Sequence, residues 1–216
     1  MTRDEAVALM QQQLGFRTDL ASTIVTNMKF AQTNLESAPT KPWFLISEDS
    51  YADTVSGEQR IAIPTDFLEE IDEATLRYIP DDLTDGEIDL IKGDYDQLRK
   101  DYQDTTTGTT AVGEPEAYAL LDGYFRIFPT PDDVYRLKMI YYKQDTVLSS
   151  DIENNWLKWA PKLLMGETGA MIASSLRDAA ALGTFQRWTS EGRVLLFGQN
   201  EARKHANMNY QMGGPH

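Results

Sequence analysis

Apolar residues recur at helical spacing at both ends of this chain and lose that period in the middle, which constrains the fold more than any other feature. Thr2 and Glu5 form a capping-box pair ahead of Val7, Leu9, Met10 and Leu14, with Gly15 as the stop. A second helix, capped by Thr18 or Asp19, repeats Leu20, Ile24, Met28, Ala31 and Leu35 on one face and ends before Pro39. The period returns after Ser149-Ser150-Asp151. Residues 153–159 read as a helix, and Pro161 either kinks it or opens the next one. Leu164, Met171, Ile172 and Ser175 then share a face, with Gly169, Ala170 and Ala173 small enough for close helix contact. Gly183-Thr184 reads as the break before a last helix carrying Phe185, Trp188, Gly192, Leu195, Leu196, Gln199, Ala202 and Ala206 on one side.

The middle is cut by turn residues into short alternating runs. Ser56-Gly57 reads as a hairpin turn between 51–55 and 59–63, and Asp122-Gly123 as another between 117–121 and 124–128. Further strands are predicted at 43–46, 75–79 and 135–142, and a short helix is carried by Tyr95, Leu98 and Tyr102. Residues 105–113 form a Thr/Gly-rich loop. The expected fold is α+β: an antiparallel bundle of about four helices drawn from both chain ends, residues 1–42 and 146–207. A β-rich, antiparallel, acidic segment, residues 43–145, is inserted between them, and residues 208–216 form an extended tail.

Charge follows the same division. Residues 43–145 carry nine basic and 24 acidic side chains, a balance of −15 in a chain whose total is −14. A protein that grips DNA phosphates clusters Lys and Arg on one face, whereas this segment repels a polyanion. Solubility alone explains an acidic surface equally well.

Chemistry is hard to find. There is no cysteine, and the two histidines are His205 and His216, so thiol catalysis, thiolate metal sites and disulfides are excluded and imidazole catalysis nearly so. No nucleotide-binding, nucleophile-elbow or zinc-protease motif occurs. The acidic run Asp81, Asp82, Asp85, Gly86, Glu87, Asp89 fails the calcium-loop template, since Leu83 and Lys92 stand where ligands are required. Glu69-Glu70 and Asp132-Asp133 are neighbours in sequence, a placement that rarely sets two carboxylates across a cleft. No catalytic residue, metal ligand or cofactor is assigned. No apolar run is long enough to span a membrane, and Met1-Thr2-Arg3-Asp4-Glu5 does not read as a secretory signal. Trp43, Trp156, Trp159 and Trp188 are core anchors or subunit contacts, both being places where tryptophan is favoured. In Tyr141-Tyr142, strand geometry sends one ring to each face.

Taken in order, several motifs resemble the head-to-tail adaptor (head completion) proteins of tailed bacteriophages. These are Thr2-Arg3-Asp4-Glu5, Leu14-Gly15 and Arg17-Thr18-Asp19-Leu20, then Gln32, Leu35-Glu36 and Pro42-Trp43-Phe44-Leu45. Ile61-Ala62-Ile63-Pro64-Thr65-Asp66-Phe67, Phe128-Pro129-Thr130-Pro131 and residues 137–142 follow, then Leu148-Ser149, Asn155-Trp156-Leu157 and Ala160-Pro161. The resemblance implies a non-enzymatic virion protein at the head–tail junction, assembled in the host cytoplasm. It would form a ring of twelve copies that joins the portal protein to the next tail or nozzle component. Double-stranded DNA would pass through without specific binding. The resemblance also implies that the C-terminal residues Asn207, Met208, Asn209, Tyr210, Gln211 and Met212 reach the portal, and a polar tail there suits ordering on binding. Two other classes stay open: an accessory protein-binding domain acting without a ring, and a carboxylate hydrolase using a divalent metal.

Overall fold

A computed structural model describes residues 1–71, 75–80, 86–103, 109–150 and 154–211, with residues 204–211 described by their backbone alone. Among the described residues there are six α-helices and eleven strands, and the chain divides into two compact units. One comprises residues 1–45 and 144–216, the other residues 46–143.

The first unit is helical. Helix α1 (Arg3–Gln13) starts at the Thr2/Glu5 capping box, where the Thr2 hydroxyl accepts from the Glu5 amide and the Glu5 carboxylate accepts from the Thr2 amide. Helix α2 (Ala21–Glu36) follows a 3₁₀ turn over Thr18–Leu20, has no side-chain cap, and buries Ile24, Met28 and Ala31 as its period dictates. The same face buries two polar residues, Gln32 and Glu36. Residues 43–45, expected in a strand, form a second 3₁₀ turn. After the chain returns come α4 (Asn155–Trp159), α5 (Pro161–Leu176) and the 33-residue α6 (Ala179–Gln211). Pro161 opens α5 rather than kinking α4, since a first-turn proline gives up no helical hydrogen bond.

Helices α5 and α6 are antiparallel and very close. A Cβ at Gly192 would stand 2.6 Å from the Leu163 amide nitrogen, one at Gly166 2.5 Å from the Thr189 amide nitrogen, and one at Gly169 would enter the Phe185 ring. The break between them is at Arg177-Asp178, not at Gly183-Thr184. Arg177 takes the left-handed conformation (φ 57°) that ends α5, and the Asp178 carboxylate accepts from the Ala181 amide to start α6. Gly183 lies inside α6, which continues through Gln211, so part of the stretch expected as an extended tail is helical.

The described residues of the second unit form three sheets. In the largest, β11 (Arg136–Lys143) pairs along one side with β1 (Ile46–Asp53). Along the other it pairs with β4 (Leu76–Ile79) and β3 (Phe67–Glu70), and β5 (Ile88–Asp89) extends β4. The second sheet runs β2 (Arg60–Ala62), β9 (Tyr124–Phe128), β8 (Ala117–Leu121), β6 (Ile91–Lys92). Strands β7 (Val112–Gly113) and β10 (Thr130–Pro131) form a parallel pair. Leu76, Tyr78, Leu137, Met139 and Tyr141 from the first sheet and Ile61, Tyr118, Phe125 and Ile127 from the second form one core. Alternation then turns Ala117, Ala119 and Phe128 to the opposite face, where α3 (Tyr95–Asp101) covers them with Leu98. Tyr141 is the inward ring of its pair, and its hydroxyl donates to Asp66 at 2.8 Å.

The expected four-helix bundle with a β-rich insertion is therefore corrected. Among the described residues, five helices come from the chain ends, a sixth lies in the middle segment, and that segment is a β unit of eleven strands. Nor is it wholly antiparallel: β6–β8 and β10–β7 are parallel, and only β8–β9 and β4–β5 pair strands that follow one another in the chain. The hairpin at Ser56-Gly57 keeps only a Val55–Glu58 bridge, because β1 pairs with β11 and β2 with β9. The partners that bury β1 and β2 lie far along the chain and outcompete the local pairing. The turn at Asp122-Gly123 does form, with both residues at positive φ (54° and 74°) and Leu121 opposite Tyr124. Edge strand β1 is broken by a register shift between Ser47 and Ser50 and carries Glu48, Asp49 and Asp53, features that discourage further strand pairing.

Candidate functional site

The tryptophans separate into two places. Trp156 is fully buried, and Phe44 stands edge-on to it at 5.1 Å. Trp43 meets Trp159 at 5.1 Å, and Trp159 keeps 39% of its surface exposed. The Arg203 guanidinium lies 3.3 Å from the Trp43 ring centroid, and the Asn200 side-chain oxygen accepts from the Trp43 amide. These contacts hold the far half of α6 to the Trp43 turn. Trp188 sits on α6 at another level, edge-on to Phe185 at 5.4 Å. Asn207, Met208, Asn209, Tyr210 and Gln211 occupy the last stretch of α6, where only the backbone is described, and Met212 lies outside the described residues.

A polar cluster lies beneath Trp156. Glu36 Oε1 accepts from Gln32 Nε2 at 2.8 Å, Trp156 Nε1 at 3.1 Å and the Asp145 amide at 3.2 Å. Burial pushes the Glu36 carboxyl above its ordinary range, the three donors oppose that shift, and nearby Asp145 adds to it. Asp145 accepts from the amides of Thr146, Asn155 and Trp156 and from Asn155 Nδ2, so with Asn154 it caps α4. The cluster ties the end of α2, the returning chain and α4 together. Its groups are consumed in structural bonds, which is not the arrangement of an acid–base pair facing a cleft.

In the β unit, where acids outnumber bases, tyrosines supply many of the donors. Tyr102 donates to Glu116 at 2.9 Å and Tyr135 donates to Asp132 at 2.5 Å. Burial, then the bond to Glu116, pushes the Tyr102 phenol up to about 12. Glu87 accepts from Lys138 and Arg77, which hold it below the usual carboxylate range. Among the described residues no group of three His, Cys, Asp or Glu side chains is placed to hold a metal ion. Of the acidic run weighed against the calcium template, Asp81, Asp82 and Asp85 lie outside the described residues. So do residues 105–108 of the Thr/Gly-rich loop, whose remainder contains the Gln103–Thr110 bridge and β7. No described helix is long and apolar enough to cross a membrane.

The surface that sequence reasoning missed is on α6. Gly192 packs on α5 and Leu196 is half-buried, but Val194, Leu195 and Phe197 keep 72%, 58% and 54% of their surface. Four consecutive apolar residues on a helix were the available signal, because one helix face accommodates only about half of them. Beside them a groove of about 230 Å³ is lined by Leu35, Ala38, Pro39, Leu163, Leu196 and Phe197, among others. Exposed apolar surface of this kind is where soluble proteins meet other proteins or ligands.

The family model for SU10 adaptor proteins matches residues 1–206. The chain belongs to the SU10 adaptor protein family. As an SU10 adaptor it is a structural protein of a phage, a virion component associated with portal and tail components, and its family is not one of enzymes. The resemblance drawn from the ordered motifs is thus to the right family. No curated protein matches the sequence.

Proposed function

We propose that this SU10 adaptor forms a ring of twelve copies that joins the portal to the next tail component and lines part of the passage for double-stranded DNA. The observation that carries the reading is the family match along residues 1–206. Two physical features agree with it. The acidic excess of residues 43–145 favours passage of DNA without adhesion, because tight binding requires cations that displace the counterions of the phosphates. The apolar surface of α6 supplies an area that gains stability when another protein covers it. In this reading the end of α6 and the residues after it, Asn207 to Met212, reach the portal, and ejected DNA passes without specific contacts.

The test is electron microscopy of the purified protein mixed with its portal. A symmetric ring seated on one end of the portal is expected, and a chain lacking residues 207–216 binds the portal more weakly. A one-to-one complex without symmetric particles overturns the reading in favour of an accessory binding domain.

A further inference from the structure

Arg60 on β2 and Arg126 on β9 stand directly opposite each other in an antiparallel pair, so both side chains leave the same face of the second sheet. Over Ala117, Ala119 and Phe128 that face is covered by α3. Toward the edge strand β2 it is open: Arg60, Ala62 and Tyr124 are exposed, and Leu121 and Arg126 are half-buried. Like charges in direct opposition destabilise a strand pair unless something of the other sign lies between them. The rest of the unit shows how its cations are normally satisfied. Arg77, Lys92 and Lys138 each hold an ion pair, and Arg136 lies over the Tyr51 ring. Among the described residues, Arg60 and Arg126 form neither an ion pair nor a side-chain hydrogen bond, and Arg126 Nε is shut off from solvent without a partner. A buried donor left unpaired costs stability, and two adjacent guanidiniums match the two oxygens of one carboxylate.

We propose that Arg60 and Arg126 seat a carboxylate of another protein, an Asp or Glu side chain that enters between the two guanidiniums and accepts from both. Tyr124 and Leu121, on the same open face, supply apolar surface for the residues beside it. The surroundings define the rest of the partner. Residues 43–145 carry a balance of −15, which repels an extended polyanion, and two cations release too few counterions for tight binding of DNA phosphates. A single carboxylate set among basic residues is complementary twice over, to the arginines at the centre and to the acidic surface around them. Arginine and tyrosine are also the side chains on which protein interfaces most often depend. The inference rests on the association of this family with portal and tail components, and on neither the ring of twelve nor the apolar surface of α6.

The experiment compares full-length wild type with Arg60→Gln, Arg126→Met and Arg126→Lys, using purified portal, purified next tail component and double-stranded DNA as separate probes. Met keeps the apolar stem of the half-buried Arg126 while removing its charge. Binding to one of the two proteins is expected to weaken about tenfold or more in Arg60→Gln and in Arg126→Met. Arg126→Lys is expected to recover only part of that loss, because an ammonium lacks the fork that grips both oxygens. Unfolding midpoints of the free Gln and Met variants are expected to stay level or rise, since each removes one of two opposed charges. Lower midpoints in both variants mean that an acid of this chain already holds the pair, and overturn the proposal. DNA binding that falls in the variants while both proteins bind as before assigns the pair to phosphate and also overturns it. Undiminished binding to every probe overturns the proposal and leaves the adaptor reading standing. A wild type that binds neither protein removes that reading and this one with it.

Discussion

Glu36 and Asp145, 109 residues apart in sequence, meet inside the helical unit, where the Asp145 amide donates to Glu36 Oε1 at 3.2 Å. One acid is held by three donors and the other caps a helix, so the pair joins the two halves of a unit that the chain builds in separate visits.

Stability is expected to depend on pH through Glu36. Burial raises its folded pKa above the unfolded value, so folding takes up a proton there. The resulting stabilisation is complete below the ordinary carboxylate pKa and is lost as pH rises through the folded value. Glu36→Gln keeps an acceptor for the three donors and removes the titration. Urea midpoints from pH 4 to pH 8 should fall for the wild type relative to the variant as pH rises. Parallel curves would show that the buried carboxyl is not the group responsible.

Asp145→Ala leaves the amides of Asn155 and Trp156 without their acceptor at a buried helix start. The expected cost is about 2–3 kcal/mol, above the roughly 1 kcal/mol expected for an exposed cap such as Thr2→Ala. Chemical denaturation of both variants checks the ranking, and equal costs would mean the cluster is solvated.

Glycines on α6 should divide by environment. Gly192→Ala pushes a methyl into the Leu163 backbone and is expected to cost about 1–3 kcal/mol. Gly198→Ala meets nothing within 4 Å and is expected to stabilise the monomer by up to about 1 kcal/mol through helix propensity. Thermal unfolding of the two variants should move in opposite directions.

Arg203→Ala removes the guanidinium from the Trp43 ring. Faster amide exchange is expected in residues 200–211, with a change of no more than about 1 kcal/mol in global stability. Unchanged exchange there would show that Asn200 suffices to hold the helix.

The parts of this molecule legible in the sequence are those whose cause lies within a few residues. The Thr2/Glu5 cap, the Asp122-Gly123 turn, Pro161 at the start of α5 and the helical stripe Ile24, Met28, Ala31 all depend on bonds or sterics spanning four residues or fewer. Family membership was legible too, because it rests on motif order rather than on contacts. Tertiary structure decided what local signals leave equal. It sent β1 and β2 to different sheets although a turn joins them, since burial against β11 and β9 outweighs one hairpin. It placed the α5–α6 break at Arg177-Asp178, where close packing of Gly166, Gly169 and Gly192 sets how the two helices align. It put a carboxyl on the buried face of α2, which periodicity reads only as a position, never as a partner. It also left Val194, Leu195 and Phe197 uncovered. Exposure is what remains after every other element has packed, and no window of sequence contains that remainder.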